Sequence, residues 1–282
     1  MTINEKETTE TSLSISKRTK GYILSSLLII VVFVAMNIVG FFLNVMDIIG
    51  LSILFFIFII LTLSIIAYSD RLETISVEKW GRIFRKYSHL TGGIVMIGFA
   101  ILSPIELSWI CFNFFIMFLL HEIFYVKLNI SGIYTKTLIF IGRLERNNNN
   151  NPQNPKLFFP TLWLLGAISI IGLFGQLITI AAIITFALGD SLSTIIGERI
   201  GHHKLPYNKT KSIEGSLVFF TISFLGVLCA YHLANQTAWI PALVAGLSGC
   251  LIESVIPSKF WLDDNFAVPV SVGSLLFLVQ MI

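Results

Sequence analysis

The sequence predicts an all-α, polytopic membrane helical bundle of about nine transmembrane helices with a cytoplasmic N-terminus. Three observations carry that prediction. Of 282 residues, 55% are hydrophobic and only 12% are charged, against roughly 25% charged in a soluble domain. Apolar runs close to the ~20 residues needed to cross about 30 Å of hydrocarbon recur along the chain. All 19 Lys and Arg fall in alternate connections between those runs, the asymmetry expected of cytoplasmic loops.

In chain order, residues 1–20 are polar and rich in Thr, Ser and Glu, and read as a disordered cytoplasmic tail. The apolar stretch after them is too long for the h-region of a signal peptide. Spans are expected near 22–45, 48–69, 89–104, 107–126, 157–173, 176–196, 214–233, 239–256 and 266–282. The third and the last are short for a full crossing. The stretch 130–142 is apolar but broken by Lys136 and reads as interfacial. A low-complexity loop near 146–156 holds the run Asn147–Asn151 with Pro152 and Pro155. Residues 21–282 read as a single membrane-embedded catalytic domain.

Charge fixes the orientation. The tail holds Lys6, Lys17, Arg18 and Lys20; the 70–88 loop holds Arg71, Lys79, Arg82, Arg85 and Lys86. The 127–156 loop holds Lys127, Lys136, Arg143, Arg146 and Lys156; the 197–213 loop holds Arg199, Lys204, Lys209 and Lys211; Lys259 comes after the eighth run. With nine spans all of these face the cytoplasm, and the turns around Asp47, Pro104, Gly175 and Asn235 carry no basic residue. The net charge of +3 is small and gives no reason to expect a nucleic-acid partner. Cys111, Cys229 and Cys250 are far apart and read as small apolar residues in spans, not as a disulfide frame or metal cage. Sequons occur at Asn129, Asn208 and Asn235, of which only Asn235 is placed outside.

The densest polar cluster runs from Gly189 to Ser216. Asp190 stands in an otherwise apolar span, where a carboxylate is costly unless paired, metal-bound or in a wet cavity. On a helix Asp190, Ser193, Thr194 and Gly197 share one face, and Gly197 with Gly201 forms a G-x-x-x-G step that lets backbones approach. Ser212 is placed to cap the next helix, with Glu214 in its first turn. Asp190, Lys211 and Glu214 in one short stretch favour a metal-bound triphosphate, the acids holding the cation and the lysines the phosphate oxygens. The bland alternative is a packing motif with one ion pair and ordinary cytoplasmic charges.

Three smaller groups complete the picture. Arg85 and His89 share a face, while Lys86 points about 100° away; His89 has the titration range of a general base or phosphate partner. His121-Glu122 lies near the inner end of the fourth span, and Glu122 faces the same desolvation problem as Asp190. Glu253, Asp263, Asp264 and Asn265 fall on the same cytoplasmic side. Asn265 is expected to cap the last helix with Pro269 in its first turn, and Asp264 with Asn265 suits a metal or a hydroxyl. No Walker A, H-E-x-x-H or nucleophile-elbow pattern is present, so a nucleotide would be held by membrane-helix ends.

Together these motifs resemble the dolichol kinase, phytol kinase and CTP-dependent diacylglycerol kinase group. The matching residues are Arg85, Lys86 and His89; Glu122; Gly189, Asp190, Gly197, Gly201, Lys204 and Pro206; Lys211, Ser212, Glu214, Gly215 and Ser216; Glu253; and Asp264, Asn265 and Pro269. They cover roughly residues 85–270. The G-D, G-x-x-x-G and K-S-x-E-G elements are also similar to phosphatidate cytidylyltransferases, but those usually carry S-P-K-K-T where this chain has Y-N-K-T-K-S.

The resemblance implies transfer of the terminal phosphate of CTP to a membrane lipid alcohol, giving the lipid monophosphate and CDP, with Mg2+ or another divalent cation. Polyprenol or dolichol is the first substrate reading, phytol the second and diacylglycerol the third. Asp190 and Glu214 would position the metal. Lys204 and Lys211 would hold phosphates, with Arg85, Lys86, Gly189, Gly197, Gly201, Ser212, Gly215, Asp264 and Asn265 completing the nucleotide site. His89 or Glu122 would orient or deprotonate the lipid hydroxyl. Phosphoryl transfer needs mainly positioning and charge neutralisation, which lysines and acids supply. The expected location is the endoplasmic reticulum membrane in a eukaryote. Competing readings are a CDP-lipid synthase and a transporter coupled through Asp190 and Glu122. Transporters often carry inverted repeats, and neither the G-D nor the K-S-x-E-G block occurs twice.

Overall fold

A computed structural model describes residues 3–44, 81–128, 160–256 and 264–282, with side chains from Ile23 in the first segment and Lys86 in the second. The described residues form α1 (Ile3–Phe42), α2 (Gly81–Leu102), α3 (Pro104–Leu128), α4 (Pro160–Ile171), α5 (Gln176–Ile184), α6 (Ser191–Ile200), α7 (Ile213–Leu233), α8 (Trp239–Val255) and α9 (Asp264–Gln280). A 3-10 turn, Gly172–Phe174, succeeds α4, and a π-helical turn, Thr185–Asp190, joins α5 to α6. Two compact units result, one of residues 1–78 and 113–159, the other of residues 79–112 and 160–282.

In the first unit the buried face of α1 repeats every fourth residue, Ser25, Ile29, Phe33 and Asn37, the spacing that stacks side chains along one side of a helix. Phe33 packs on Phe114 with ring centroids 5.8 Å apart. The Asn37 amide donates to the Phe33 carbonyl at 2.7 Å and to Asn113 Oδ1 at 3.2 Å. A polar pair of this kind supplies an interhelical hydrogen bond where lipid gives no hydrophobic drive. His121 and Glu122 are buried in this unit.

In the second unit the α5–π–α6 rod is the centre. Residues 178–187 are all buried, as expected of a helix apolar all round, and α2, α4, α7 and α9 pack on α5. Small residues set the approach: a Cβ on Gly226 of α7 would lie 2.6 Å from Ile184, and Gly93 of α2 sits directly on Ala187.

Several expectations change. Among the described residues, four helices are long and apolar enough to cross a membrane: Ile23–Phe42, Pro104–Tyr125, Gln176–Ile200 and Ile213–Leu233. The other apolar helices, His89–Leu102, Trp163–Phe174, Trp239–Val255 and Asp264–Gln280, are shorter. The 48–69 span, the 130–142 stretch and the 146–156 loop lie outside the described residues. Helix α1 begins at Ile3, and no Gly or Pro precedes Gly21. The last helix starts at Asp264, so Asn265 is its second residue and not its cap, and Pro269 lies beyond the first turn. The apolar run that located this helix hides its polar first turn. The Ser103–Pro104 break is as expected, with Pro104 at the first helical position and Ser103 Oγ accepting from the Glu106 N–H at 3.2 Å.

Candidate active site

The candidate site is built where the ends of five segments of the second unit meet. Lys86 of α2 donates to Asp190 Oδ2 at 2.7 Å, with the side chains only 8% and 5% exposed. A buried ion pair offsets the desolvation of its members only when geometry is tight. The π turn ends at Asp190. It inserts one residue into the helix and so rotates the downstream turns by about 100°. Beyond it, Ser193 Oγ donates to the Asp190 carbonyl at 3.0 Å, and Thr194 Oγ1 lies 3.5 Å from Asp190 Oδ1. The predicted face of Asp190, Ser193 and Thr194 therefore exists.

A second ion pair stands beside the first. Lys211 donates to Glu253 Oε1 in the last turn of α8. Burial opposes the Lys211 ammonium, but Glu253, Asp190 and Asp264 outweigh it, so its pKa is raised above the ordinary lysine value. Asp264, the first residue of α9, acts electrostatically on Asp190, Lys211 and Glu253 alike. Two lysines and three carboxylates thus share one field, a net charge of one negative at most, in which a cation and a polyphosphate would exchange partners. Asn265, next to Asp264 in the chain, is buried.

Close backbone approach holds the cluster. Ser212 caps α7, its Oγ accepting from the Gly215 N–H at 3.2 Å, as expected. A Cβ on Gly197 would lie 3.2 Å from Gly215 Cα and 3.3 Å from Ser212 Oγ, and one on Gly215 would lie 3.3 Å from the Ser193 carbonyl. Gly201 abuts Ser212, and Gly189 abuts Ser223. The loop between α6 and α7 is a small hairpin, closed by an antiparallel bridge between Lys204 and Ser212 and by the Leu205 N–H donating to the Lys211 carbonyl at 3.1 Å.

Other expected residues stand elsewhere. Glu214 accepts from the His203 N–H at 3.1 Å and lies 2.6 Å from His203 Nδ1, so it clamps the hairpin. As the second residue of α7 it is turned to the hairpin, whereas Lys86 is the ionic partner of Asp190. The Lys204 side chain is exposed. His89 packs on Phe186 of the π turn, ring centroids 5.5 Å apart. Of Arg85 only the backbone in α2 is described. Glu122 belongs to the first unit. Among the described residues, no group of three or more His, Cys, Asp or Glu is gathered into an all-protein metal cage.

Sequence reasoning gave no site role to Tyr207 or Asn208. Tyr207 OH donates to Ser254 Oγ at 3.2 Å, and the buried Asn208 donates to the Ser254 carbonyl at 3.0 Å. Glu253 was grouped with Asp263, Asp264 and Asn265 on the cytoplasmic side, but its pairing with Lys211 spans 42 residues and has no local signature.

No protein-family profile matches the chain, and no solved structure matches it. Probable phytol kinase 2, chloroplastic, of Oryza sativa subsp. japonica is 36% identical over 111 residues, 36% of this chain and 36% of that protein. Farnesol kinase, chloroplastic, of Arabidopsis thaliana is 33% identical over 111 residues, with the same shares of 36% and 36%. CTP-dependent diacylglycerol kinase 1 of Schizosaccharomyces pombe is 27% identical over 155 residues, 50% of this chain and 66% of that protein. The chain spans about a third of the length of the plant relatives it matches. These relatives are all lipid kinases, the group that the motifs resemble.

Proposed function

We propose that this chain is a CTP-dependent kinase of a membrane lipid alcohol, forming the lipid monophosphate and CDP. The observation that carries the reading is the buried Lys86–Asp190 pair standing in one electrostatic cluster with Lys211–Glu253 and Asp264. Such a set at helix ends suits phosphoryl transfer, which asks for positioning and charge neutralisation. The names of the relatives point to phytol, farnesol and diacylglycerol as the alcohols those proteins use. We therefore place an isoprenoid alcohol first, with dolichol-type polyprenols as its long-chain members, and diacylglycerol second.

In this reading Lys86 and Lys211 leave their carboxylates for phosphate oxygens when nucleotide arrives. Asp190 and Asp264 are hard oxygen donors and fit a Mg2+ ion, which commonly takes one or two carboxylates together with substrate phosphates. The cation would supply charge neutralisation on the phosphates. His89, against the π turn, is the residue we assign to the acceptor hydroxyl. The site faces the cytoplasm, because the basic loops that flank it do.

The test is purified protein with γ-labelled CTP, crossed with phytol, farnesol, dolichol and diacylglycerol. Label in the lipid, with ATP much poorer than CTP, is the expected result. Label released as pyrophosphate would mean a cytidylyltransferase, and no turnover without a gradient would return the transporter reading.

A further inference from the structure

The hairpin that carries Lys211 is fastened to the helix that carries Glu253 through Asn208, which the function above leaves without a role. Asn208 is only 8% exposed, and both ends of its amide are engaged. Its Oδ1 accepts from Thr210 Oγ1 at 2.6 Å and from the Thr210 N–H at 3.3 Å. Its Nδ2 donates to the Ser254 carbonyl at 3.0 Å and the Ile256 carbonyl at 3.4 Å. The first arm closes a local turn that brings the Lys211 N–H onto the Asn208 carbonyl at 3.1 Å. The second arm docks that turn on the C-terminal end of α8, where the last carbonyls of a helix lack partners within it. Glu253 lies in the same last turn. Although Asn208 begins a sequon, its engaged and buried amide is unsuited to carry a glycan.

We propose that Asn208 is a positioning residue that sets Lys211 against Glu253 and so fixes where the ammonium meets the nucleotide phosphates. The ligand named here rests on the lipid-kinase reading; the docking geometry does not.

Asn208→Asp separates the two arms. An aspartate keeps the acceptor for Thr210 but turns an oxygen toward the Ser254 and Ile256 carbonyls. In the full chain, KM for CTP should rise about tenfold, the effect of losing a buried hydrogen bond, while kcat stays within about threefold. Because Asn208 acts through Lys211, the same change in a Lys211→Met background should weaken labelled-CTP binding by less than about twofold more. Trypsin, without nucleotide, should cut after the exposed Lys209 about fivefold faster in Asn208→Asp than in the parent. Tyr207→Phe removes only the bond to Ser254 Oγ and carries the same test at smaller amplitude should the aspartate variant not fold.

An unchanged KM, a loss confined to kcat, or a full multiplicative effect in the Lys211→Met background would overturn the proposal. If the parent protein neither binds nor turns over CTP, the kinase reading fails. Trypsin then decides the docking role alone, and equal cleavage of parent and variant rejects it.

Discussion

Asp190 and Lys86 show why a single intramembrane charge is never a local matter. Each is buried, and each is compensated by the other at 2.7 Å. Removing one partner of a buried pair leaves an uncompensated charge and costs about 3–5 kcal/mol, whereas replacing both by apolar groups is often neutral. Asp190→Asn and Lys86→Met should therefore each lower thermal stability in detergent and abolish turnover. The double variant should recover most of the stability and none of the activity. Recovery of activity in the double variant would remove both residues from the chemistry. Lys211 gives the pH expectation. Its raised pKa means that its ion pair is fully present below the ordinary lysine value of about 10.4 and is lost only above it. CTP affinity measured at pH 7 and at pH 9 should not fall through this group; a steep loss across that window would contradict its pairing.

At the scale of elements, the crossing of α6 with α7 decides whether the site exists. Gly197, Gly215 and Ser212 meet there so closely that a Cβ would lie 3.2 Å from Gly215 Cα if placed on Gly197 and 3.1 Å from Ser212 Oγ if placed on Gly215. Gly197→Ala would drive a methyl group to 3.2 Å from Gly215 Cα, where backbone must move. Overpacking of this kind costs about 1–3 kcal/mol. The control is Gly98→Ala on α2, where a Cβ meets nothing within 4 Å. There a helical alanine should be neutral or stabilising by up to about 1 kcal/mol. Thermal melts and CTP turnover of the two variants compare the effects; equal behaviour would mean that the crossing is not a constraint. The Gly197–Gly201 step, the shared face after Asp190 and the Ser212 cap were all legible in the sequence, because each depends on spacing within one or two turns. The hairpin was not, since its dock on α8 joins residues 46 apart.

For the whole molecule, the orientation argument remains the strongest statement that charge alone supports. Helix α7, 21 residues long, spans about 32 Å at 1.5 Å per residue, with the basic hairpin at one end and the turn at Asn235 at the other. In a background with the three cysteines replaced by alanine, a cysteine at Lys209 should label from the cytoplasmic side and one at Asn235 from the opposite side. Labelling of both from one side would break the topology.

What the sequence determined by itself is whatever one helix or one loop can express. This covers the all-α membrane class, most helix positions, the side on which positive charge gathers, the Ser212 cap, and the choice of Asp190, Lys86 and Lys211 as candidate site residues. Tertiary structure decided the partnerships. It gave Lys86 to Asp190; it set Glu214 against His203; it brought Glu253 to Lys211 and Asp264 into their field. The reason is range. Periodicity and hydropathy are properties of neighbours in the chain, whereas ion pairing in a low-dielectric interior is settled by which helix ends converge, and no single segment encodes that convergence.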